Sequence, residues 1–224
     1  MYVAEIWRYP VKSMGGERLE EALVTPAGIA GDRVVQVYAE DDRLVTARTH
    51  GALLGHRAAL GPGGEPFVDG RPWRSREVLA DVRGVVGPSA RLVKDEDPDA
   101  RFDILPLLVA TDGAIAAFGQ DGRRLRPNLI IGGVPGLAER DWPGARLVIG
   151  EVELFLDSLR PRCVVTTFHP DTLEQDQDVL KDIGRRFGGR LALNTAVLRG
   201  GRLREGQQVE LVTSGASSHG ADAE

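Results

Sequence analysis

Residues 34–47, VVQVYAEDDRLVTA, contain two apolar runs on either side of the acidic residues Glu40, Asp41 and Asp42. Both runs are rich in β-branched residues, and acidic residues are typical of turns. The stretch therefore predicts a β-hairpin. Similar short runs, separated by glycine and proline, fill the first half of the chain, and many short strands with regular turn signals favour a barrel or a sandwich.

The rest of the chain predicts a mostly β (α+β) protein. Further strands are expected at residues 3–9, 18–25, 107–110, 125–131, 146–156, 191–198 and 208–212. A helix is expected after an N-cap at Thr111 or Asp112, and an amphipathic helix is expected where Val179, Leu180, Ile183 and Phe187 share one face. The acidic, proline-broken residues 94–99 divide the chain into predicted domains 1–95 and 96–213. Residues 214–224 are predicted to be a disordered tail.

Composition excludes several functional classes. The chain has 224 residues, a net charge of -5 and a pI near 5.5, which argues against binding nucleic acid by broad electrostatic attraction. A single cysteine excludes a disulfide scaffold, a zinc ribbon and a cysteine-ligated iron–sulfur cluster. The N-terminus does not resemble a signal peptide, and no apolar run is long enough to span a bilayer. We therefore expect a cytoplasmic protein with no membrane partner.

The one cysteine, Cys163, lies in residues 159–172, LRPRCVVTTFHPDT. A lone thiol that does chemistry acts as a nucleophile, a redox group or a soft metal ligand. Arg160 and Arg162 precede it, and cationic neighbours favour a thiolate. The alternative is a buried cysteine that packs as a small apolar residue. His169 as the base partner of a cysteine nucleophile is a further alternative.

Four other short segments accompany this stretch, and the ordered set resembles one known family. The segments are Tyr9-Pro10-Val11-Lys12-Ser13, Gly31-Asp32-Arg33, Thr46-Ala47-Arg48 and Arg126-Pro127-Asn128. Together with Arg162-Cys163 and Thr166-Thr167 they resemble the MOSC family, in the branch that includes the amidoxime-reducing components. The resemblance covers residues 2–212. It implies an N-terminal β-barrel domain followed by a β-barrel MOSC domain with a few helices.

The resemblance also implies a cofactor and a reaction. The family's cofactor is molybdopterin, a dithiolene with a phosphate that holds molybdenum between the two halves of the protein. Cys163 would be the ligand to the metal. The implied contacts to phosphate and pterin come from Lys12, Ser13, Arg33, Arg48, Thr111, Asp112, Arg126, Asn128 and Arg162. The implied reaction is the two-electron reduction of a small N-oxygenated substrate, such as an N-hydroxylated amidine or an oxime, with electrons from a separate reductase or ferredoxin-like protein.

The chemistry of these residue types matches the implied cofactor. Arginine binds phosphate in a bidentate manner, lysine provides a compact charge, and a thiolate suits a sulfur-coordinated metal. Two alternatives stay open: a sulfur-transfer protein with a persulfide on Cys163, and a non-catalytic cofactor carrier. The chain departs from the family pattern at His169, where the family usually has aspartate, and at Leu173, where it often has glycine. Both lie on the loop after the predicted metal ligand, so the substrate pocket is expected to differ from that of the family.

Overall fold

The computed structural model describes residues 1–95, 97 and 101–213. The predicted disordered tail, residues 214–224, and part of the predicted domain boundary at residues 94–99 lie outside the described residues. Within them, the chain forms seventeen strands and three α-helices. The predicted mostly β architecture with a few helices is therefore confirmed.

The strands and helices have the following bounds. The strands of the first half are β1 (Tyr2–Arg8), β2 (Glu17–Leu19), β3 (Glu21–Thr25), β4 (Gly28–Ile29), β5 (Val35–Tyr38), β6 (Leu44–Val45), β7 (Ala58–Leu60), β8 (Pro66–Val68), β9 (Arg71–Pro72) and β10 (Arg91–Lys94). Those of the second half are β11 (Leu107–Thr111), β12 (Leu129–Gly132), β13 (Arg146–Ile149), β14 (Val152–Pro161), β15 (Arg190–Arg199), β16 (Gly201–Arg204) and β17 (Glu210–Val212). The helices are α1 (Arg76–Val86), α2 (Asp112–Phe118) and α3 (Gln177–Phe187).

The largest sheet joins strands from both halves of the chain. Its order is β17-β13-β14-β15-β11-β12-β1-β2, and β1 runs antiparallel to β12, with Ile6 opposite Leu129. Because these strands are antiparallel, the end of β1 lies beside the start of β12, where the Trp7 amide donates to the Asn128 carbonyl at 2.8 Å. This pairing brings residues 9–13 close to residues 126–128.

The predicted hairpin at residues 34–47 is confirmed. Its strands β5 and β6 pair antiparallel, with Val37 opposite Val45, and β10 pairs with the other side of β5. A separate apolar cluster of the first half lies behind these strands and includes Val35, Val37 and Leu53. Fully burying side chains of this size stabilises a fold by about 1.5–3 kcal/mol each.

Helix α1 was missed by the sequence analysis, which expected only strand-like segments in this half. The Ser75 side chain caps the helix by accepting from the Val78 amide at 3.2 Å. Val78 and Val82 are buried in the cluster behind the hairpin. The valine-rich composition of the segment resembles a strand, but the four-residue spacing of these two valines matches a helix.

The strand predicted at residues 125–131 begins only at Leu129. A short 3-10 helix, Gly122–Leu125, precedes it, and Arg126 ends that helix with a left-handed φ of 55°. Such a backbone interrupts a strand, so the prediction was wrong for its first four residues. The helix after β11 begins as predicted, with Thr111 as its N-cap.

Candidate functional site

A cleft of about 420 Å³ contains eight of the ten residues that the sequence analysis selected. They are Lys12, Ser13, Arg33, Arg48, Arg126, Asn128, Arg162 and Cys163. The cleft lies between the two halves of the chain, with Lys12 following β1 and Cys163 following β14. Seven basic side chains and one acidic side chain line it, which makes it strongly electropositive.

Thr111 and Asp112 do not line the cleft, and both are engaged in local structure. The Thr111 hydroxyl accepts from the Ala114 amide at 3.1 Å. The Asp112 carboxylate accepts from the amides of Gly133 at 2.7 Å and Val134 at 3.0 Å. These bonds cap α2 and fix the loop after β12, so the structure gives both side chains a structural role.

Lys12 and Ser13 lie in a turn that is tied to the segment carrying Arg48. The Ser13 hydroxyl accepts from the Ala47 amide at 2.9 Å. Lys12 is buried, and its ammonium group donates to the Arg101 carbonyl at 3.0 Å. Burial lowers the pKa of Lys12, although nearby Asp103 opposes this effect. The turn therefore directs a partly desolvated cation into the cleft.

Asp103 is the acidic residue of the cleft, and the sequence analysis did not select it. Its carboxylate lies 3.2 Å from the Lys12 nitrogen and 3.3 Å from Arg160, and it also accepts from Arg48. Burial alone would raise the pKa of Asp103, but Lys12 and Arg48 outweigh burial and hold it below its usual value. These three cations thus converge on one anion.

Tyr9 separates two other cationic residues of the cleft. The guanidinium carbons of Arg126 and Arg33 lie 4.3 Å and 5.1 Å from the centre of its ring. Its hydroxyl donates to the Pro127 carbonyl at 3.0 Å, and burial raises the pKa of Tyr9 to about 12. Tyr9 is therefore a neutral platform that fixes both guanidinium groups.

Asn128 and Asp32 form a buried network beneath Arg33. The Asn128 amide donates to Asp32 at 3.1 Å and to the Trp7 carbonyl at 3.3 Å, and its oxygen accepts from the Leu108 amide at 3.2 Å. Asp32 accepts from Arg33. The Asn128 amide is thus already engaged by the protein, and its clearest role is to join β1, β11 and β12 at the base of the cleft.

Three residues of the cleft have a left-handed backbone although none is glycine. The φ angles are 71° at Ser13, 52° at Arg33 and 55° at Arg126. Such conformations cost about 1–3 kcal/mol each and tend to cluster at functional sites, where surrounding structure enforces them. They point to a cleft whose geometry is maintained at the expense of stability.

Cys163 is half-buried at the start of a short 3-10 helix, Val164–Thr167. Arg48, Arg160 and Arg162 lie close enough to Cys163 to interact with it electrostatically. Burial nevertheless lowers the pKa of Arg162 to about 10, and Arg160 adds to that effect. Within the described residues, no group of three histidine, cysteine or acidic side chains is placed to bind a metal.

His169 and Leu173 form a turn after this helix. The His169 ring nitrogen Nδ1 accepts from the amides of Asp171 and Thr172, each at 3.2 Å, so this nitrogen is occupied by backbone bonds. Leu173 has a φ of 59°, a conformation that glycine adopts at no steric cost. The two departures from the family pattern therefore shape this turn, and neither residue lines the cleft.

Comparison with known proteins places the chain in a family. Residues 1–66 match the MOSC N-terminal beta barrel domain, and residues 115–210 match the MOSC domain. Mitochondrial amidoxime reducing component 2 from Homo sapiens is 25% identical over 240 residues, covering 80% of this chain and 71% of the human protein. Human mitochondrial amidoxime-reducing component 1 is 26% identical over 227 residues, covering 76% and 67%.

A solved structure gives the same fold. The YuaD protein from Bacillus subtilis superposes with a TM-score of 0.53 at 13% identity, covering 96% of each chain. Among the described residues, no helix has the length and apolar character needed to cross a membrane. The MOSC family is associated with binding of the molybdenum cofactor. The chain carries the two domains of this family, a MOSC N-terminal β-barrel domain followed by a MOSC domain.

Proposed function

We propose that the cleft binds the molybdenum cofactor and that the protein reduces small N-oxygenated compounds, with Cys163 as the protein ligand to molybdenum. The proposal rests mainly on the composition of the cleft. Seven basic side chains and one acidic side chain line it together with the only cysteine of the sequence. An anionic, sulfur-coordinated group needs both features: cations that neutralise it and a soft donor for its metal.

The cluster of Lys12, Arg48 and Arg160 is suited to an anion. The Asp103 carboxylate already occupies this cluster and stands in for the oxygen atoms of a phosphate or another anionic group. Arginine and lysine together bind phosphate well, because one offers a planar pair of donors and the other a compact charge. Lys12, Arg48 and Arg160 would therefore hold the terminal phosphate.

Arg126 and Arg162 are suited to the negative charge that the proposed cofactor carries beyond its phosphate. Arg126 forms no ion pair with a carboxylate within the described part of the chain. Arg162 donates to the Leu125 carbonyl at 2.7 Å, but its buried Nε has no partner among the described residues. Cations that are partly withdrawn from water and lack an anion are costly, so both half-buried positions support a bound anionic ligand.

Each side chain would then have a defined role. Cys163 would hold the metal through its sulfur, and Arg48, Arg160 and Arg162 would balance the negative charge of the bound group. Tyr9 would orient Arg33 and Arg126 toward the cofactor. When bound, the cofactor supplies a metal centre that transfers two electrons and removes an oxygen atom from the substrate.

Electrons would come from a separate protein. The sequence offers one cysteine and four histidines, and no metal-binding cluster of such residues occurs in the described ranges. The relatives named as amidoxime-reducing components are consistent with a reductase. We therefore expect no turnover with NADH or NADPH alone.

The test uses protein produced in a host that makes the cofactor. Its molybdenum content is measured first, and it is then mixed with benzamidoxime and either NADH or reduced viologen. We expect molybdenum in the wild type and turnover only with viologen, whereas Cys163→Ser should keep its thermal midpoint and lose turnover, since the swap scarcely changes volume.

Other outcomes would favour the two alternatives. Fully loaded protein that reduces no N-oxygenated compound would indicate a carrier. A persulfide on Cys163, with no molybdenum in the wild type, would indicate sulfur transfer. Full activity in Cys163→Ser would contradict the assignment of Cys163.

A further inference from the structure

Arg124 is a buried arginine that lies outside the cleft, in the 3-10 helix Gly122–Leu125. Its Nη1 donates to two carbonyl groups, that of Thr166 at 3.2 Å and that of Thr167 at 2.9 Å. No carboxylate lies within ion-pair distance of it in the described ranges. Burying a guanidinium away from water costs free energy, and among the described residues only hydrogen bonds to backbone carbonyls offset that cost. The presence of an arginine at this position therefore calls for a reason.

Those bonds act on the turn that begins at Cys163. The Thr166 amide and hydroxyl both donate to the Cys163 carbonyl, at 3.0 Å and 2.8 Å. Thr166 is completely buried. Arg124 therefore holds the carbonyl of Thr166, and Thr166 in turn holds the carbonyl of Cys163 by two bonds.

The chain on the other side of Cys163 is fixed to the same short helix. Arg162 donates from Nη2 to the Leu125 carbonyl at 2.7 Å. Residues on both sides of Cys163 are thus bonded to two consecutive residues, Arg124 and Leu125. The Arg162 amide also donates to the Gly189 carbonyl at 2.9 Å, so the backbone is held on both sides of Cys163.

We propose that Arg124 is a positioning residue that fixes Cys163, through the turn at Thr166, in the orientation from which its sulfur ligates the metal. This inference rests on the proposed function, because that function makes Cys163 the metal ligand. Partners in the outer shell of a metal site orient its ligands, and their removal commonly costs about 10–100-fold in metal affinity or activity.

The test compares three variants of full-length protein. Arg124→Met removes the donors but keeps the length of the side chain, and Arg124→Lys retains an ammonium donor for the same carbonyls. Arg123→Met is the matched control, because the Arg123 side chain bonds to Asp121 and Asp171 instead. Each variant is prepared with and without the cofactor.

In the cofactor-free protein, the rate of Cys163 alkylation by iodoacetamide reports on the freedom of the thiol. We expect Arg124→Met to react several-fold faster than the wild type, because the turn after Cys163 loses both of its Arg124 bonds. Arg124→Lys should react at an intermediate rate and Arg123→Met at the wild-type rate. In loaded protein, the Mo(V) electron paramagnetic resonance spectrum should change in Arg124→Met and remain unchanged in Arg123→Met.

A merely structural role gives a different result. It would lower the unfolding midpoint of Arg124→Met but leave its alkylation rate and Mo(V) spectrum at the wild-type values, and this outcome overturns the inference. Should Arg124→Met not fold, Arg124→Lys decides, and an alkylation rate in that variant equal to the wild-type rate also overturns it. Absence of molybdenum from the wild type would instead overturn the proposed function, since alkylation is measured without cofactor.

Discussion

Replacing Arg126 by methionine should stabilise the cofactor-free protein and prevent its loading. Burial lowers the pKa of the Arg126 guanidinium to about 10, with Arg33 adding to this effect. The folded-state pKa lies below the unfolded-state value, so the charged side chain destabilises the fold at every pH below about 10. At pH 7 this effect is fully present.

The magnitude follows from that lowering. One pKa unit corresponds to about 1.4 kcal/mol, so the charged form costs about 3 kcal/mol in the folded state. The guanidinium also contacts the Tyr9 ring, with 4.3 Å to its centre, which stabilises by about 1 kcal/mol. Methionine keeps an apolar contact with the ring but carries no charge. The net expectation is a gain of about 2 kcal/mol in the free energy of unfolding.

Urea unfolding at pH 7 measures this gain, with Arg43→Met as the control. Arg43 pairs with Asp41 at an exposed position, so its loss should change the free energy of unfolding by less than about 0.5 kcal/mol. The molybdenum content of Arg126→Met from a cofactor-producing host should fall about 10-fold. A variant that is less stable than the wild type and fully loaded would refute the reasoning on both counts.

Three further predictions concern stability. Asp103 has a lowered folded-state pKa because Lys12 and Arg48 outweigh burial, so its contribution to the free energy of unfolding is lost as the pH falls from about 4 through that pKa. Asp103→Asn should therefore make the free energy of unfolding, measured with urea, less dependent on acid pH, and an unaltered dependence would contradict the ion cluster. Gly113→Ala places a Cβ 2.2 Å from the Val134 carbonyl oxygen and should lower the free energy of unfolding by about 1–3 kcal/mol. The variant should unfold at a lower thermal midpoint, and an equal midpoint would contradict the close packing. Asp171→Asn should cost less than about 1 kcal/mol, because its pairs are exposed, and a larger loss would show that they act as a network.

The sequence predicted most of the cleft because its residues occupy ends of strands in a recognisable order. Lys12, Arg48 and Cys163 each follow a strand, and the pairing of strands brings such ends together. Asp103 was not predicted. It follows an acidic, proline-broken run with no periodic pattern, and its partners Lys12 and Arg48 lie 91 and 55 residues away in sequence. A single sequence does not reveal such distant pairs.

Arg124 was missed for a related reason. It stands two residues before the selected Arg126, but its burial depends on the turn that follows Cys163. Helix α1 was missed because valine-rich residues suit strands, and here packing against the hairpin overrides that preference. Thr111 and Asp112 were selected from the family pattern, whereas their hydrogen bonds serve helix α2 and the loop beyond β12.

X-ray absorption at the molybdenum edge tests the central claim most directly. Wild-type protein and Cys163→Ser would be purified from a host that makes the cofactor and measured at equal molybdenum content. The wild type should show one more sulfur neighbour around molybdenum than the serine variant, because we propose Cys163 as the protein ligand to the metal. Equal sulfur coordination in the two proteins would contradict this assignment.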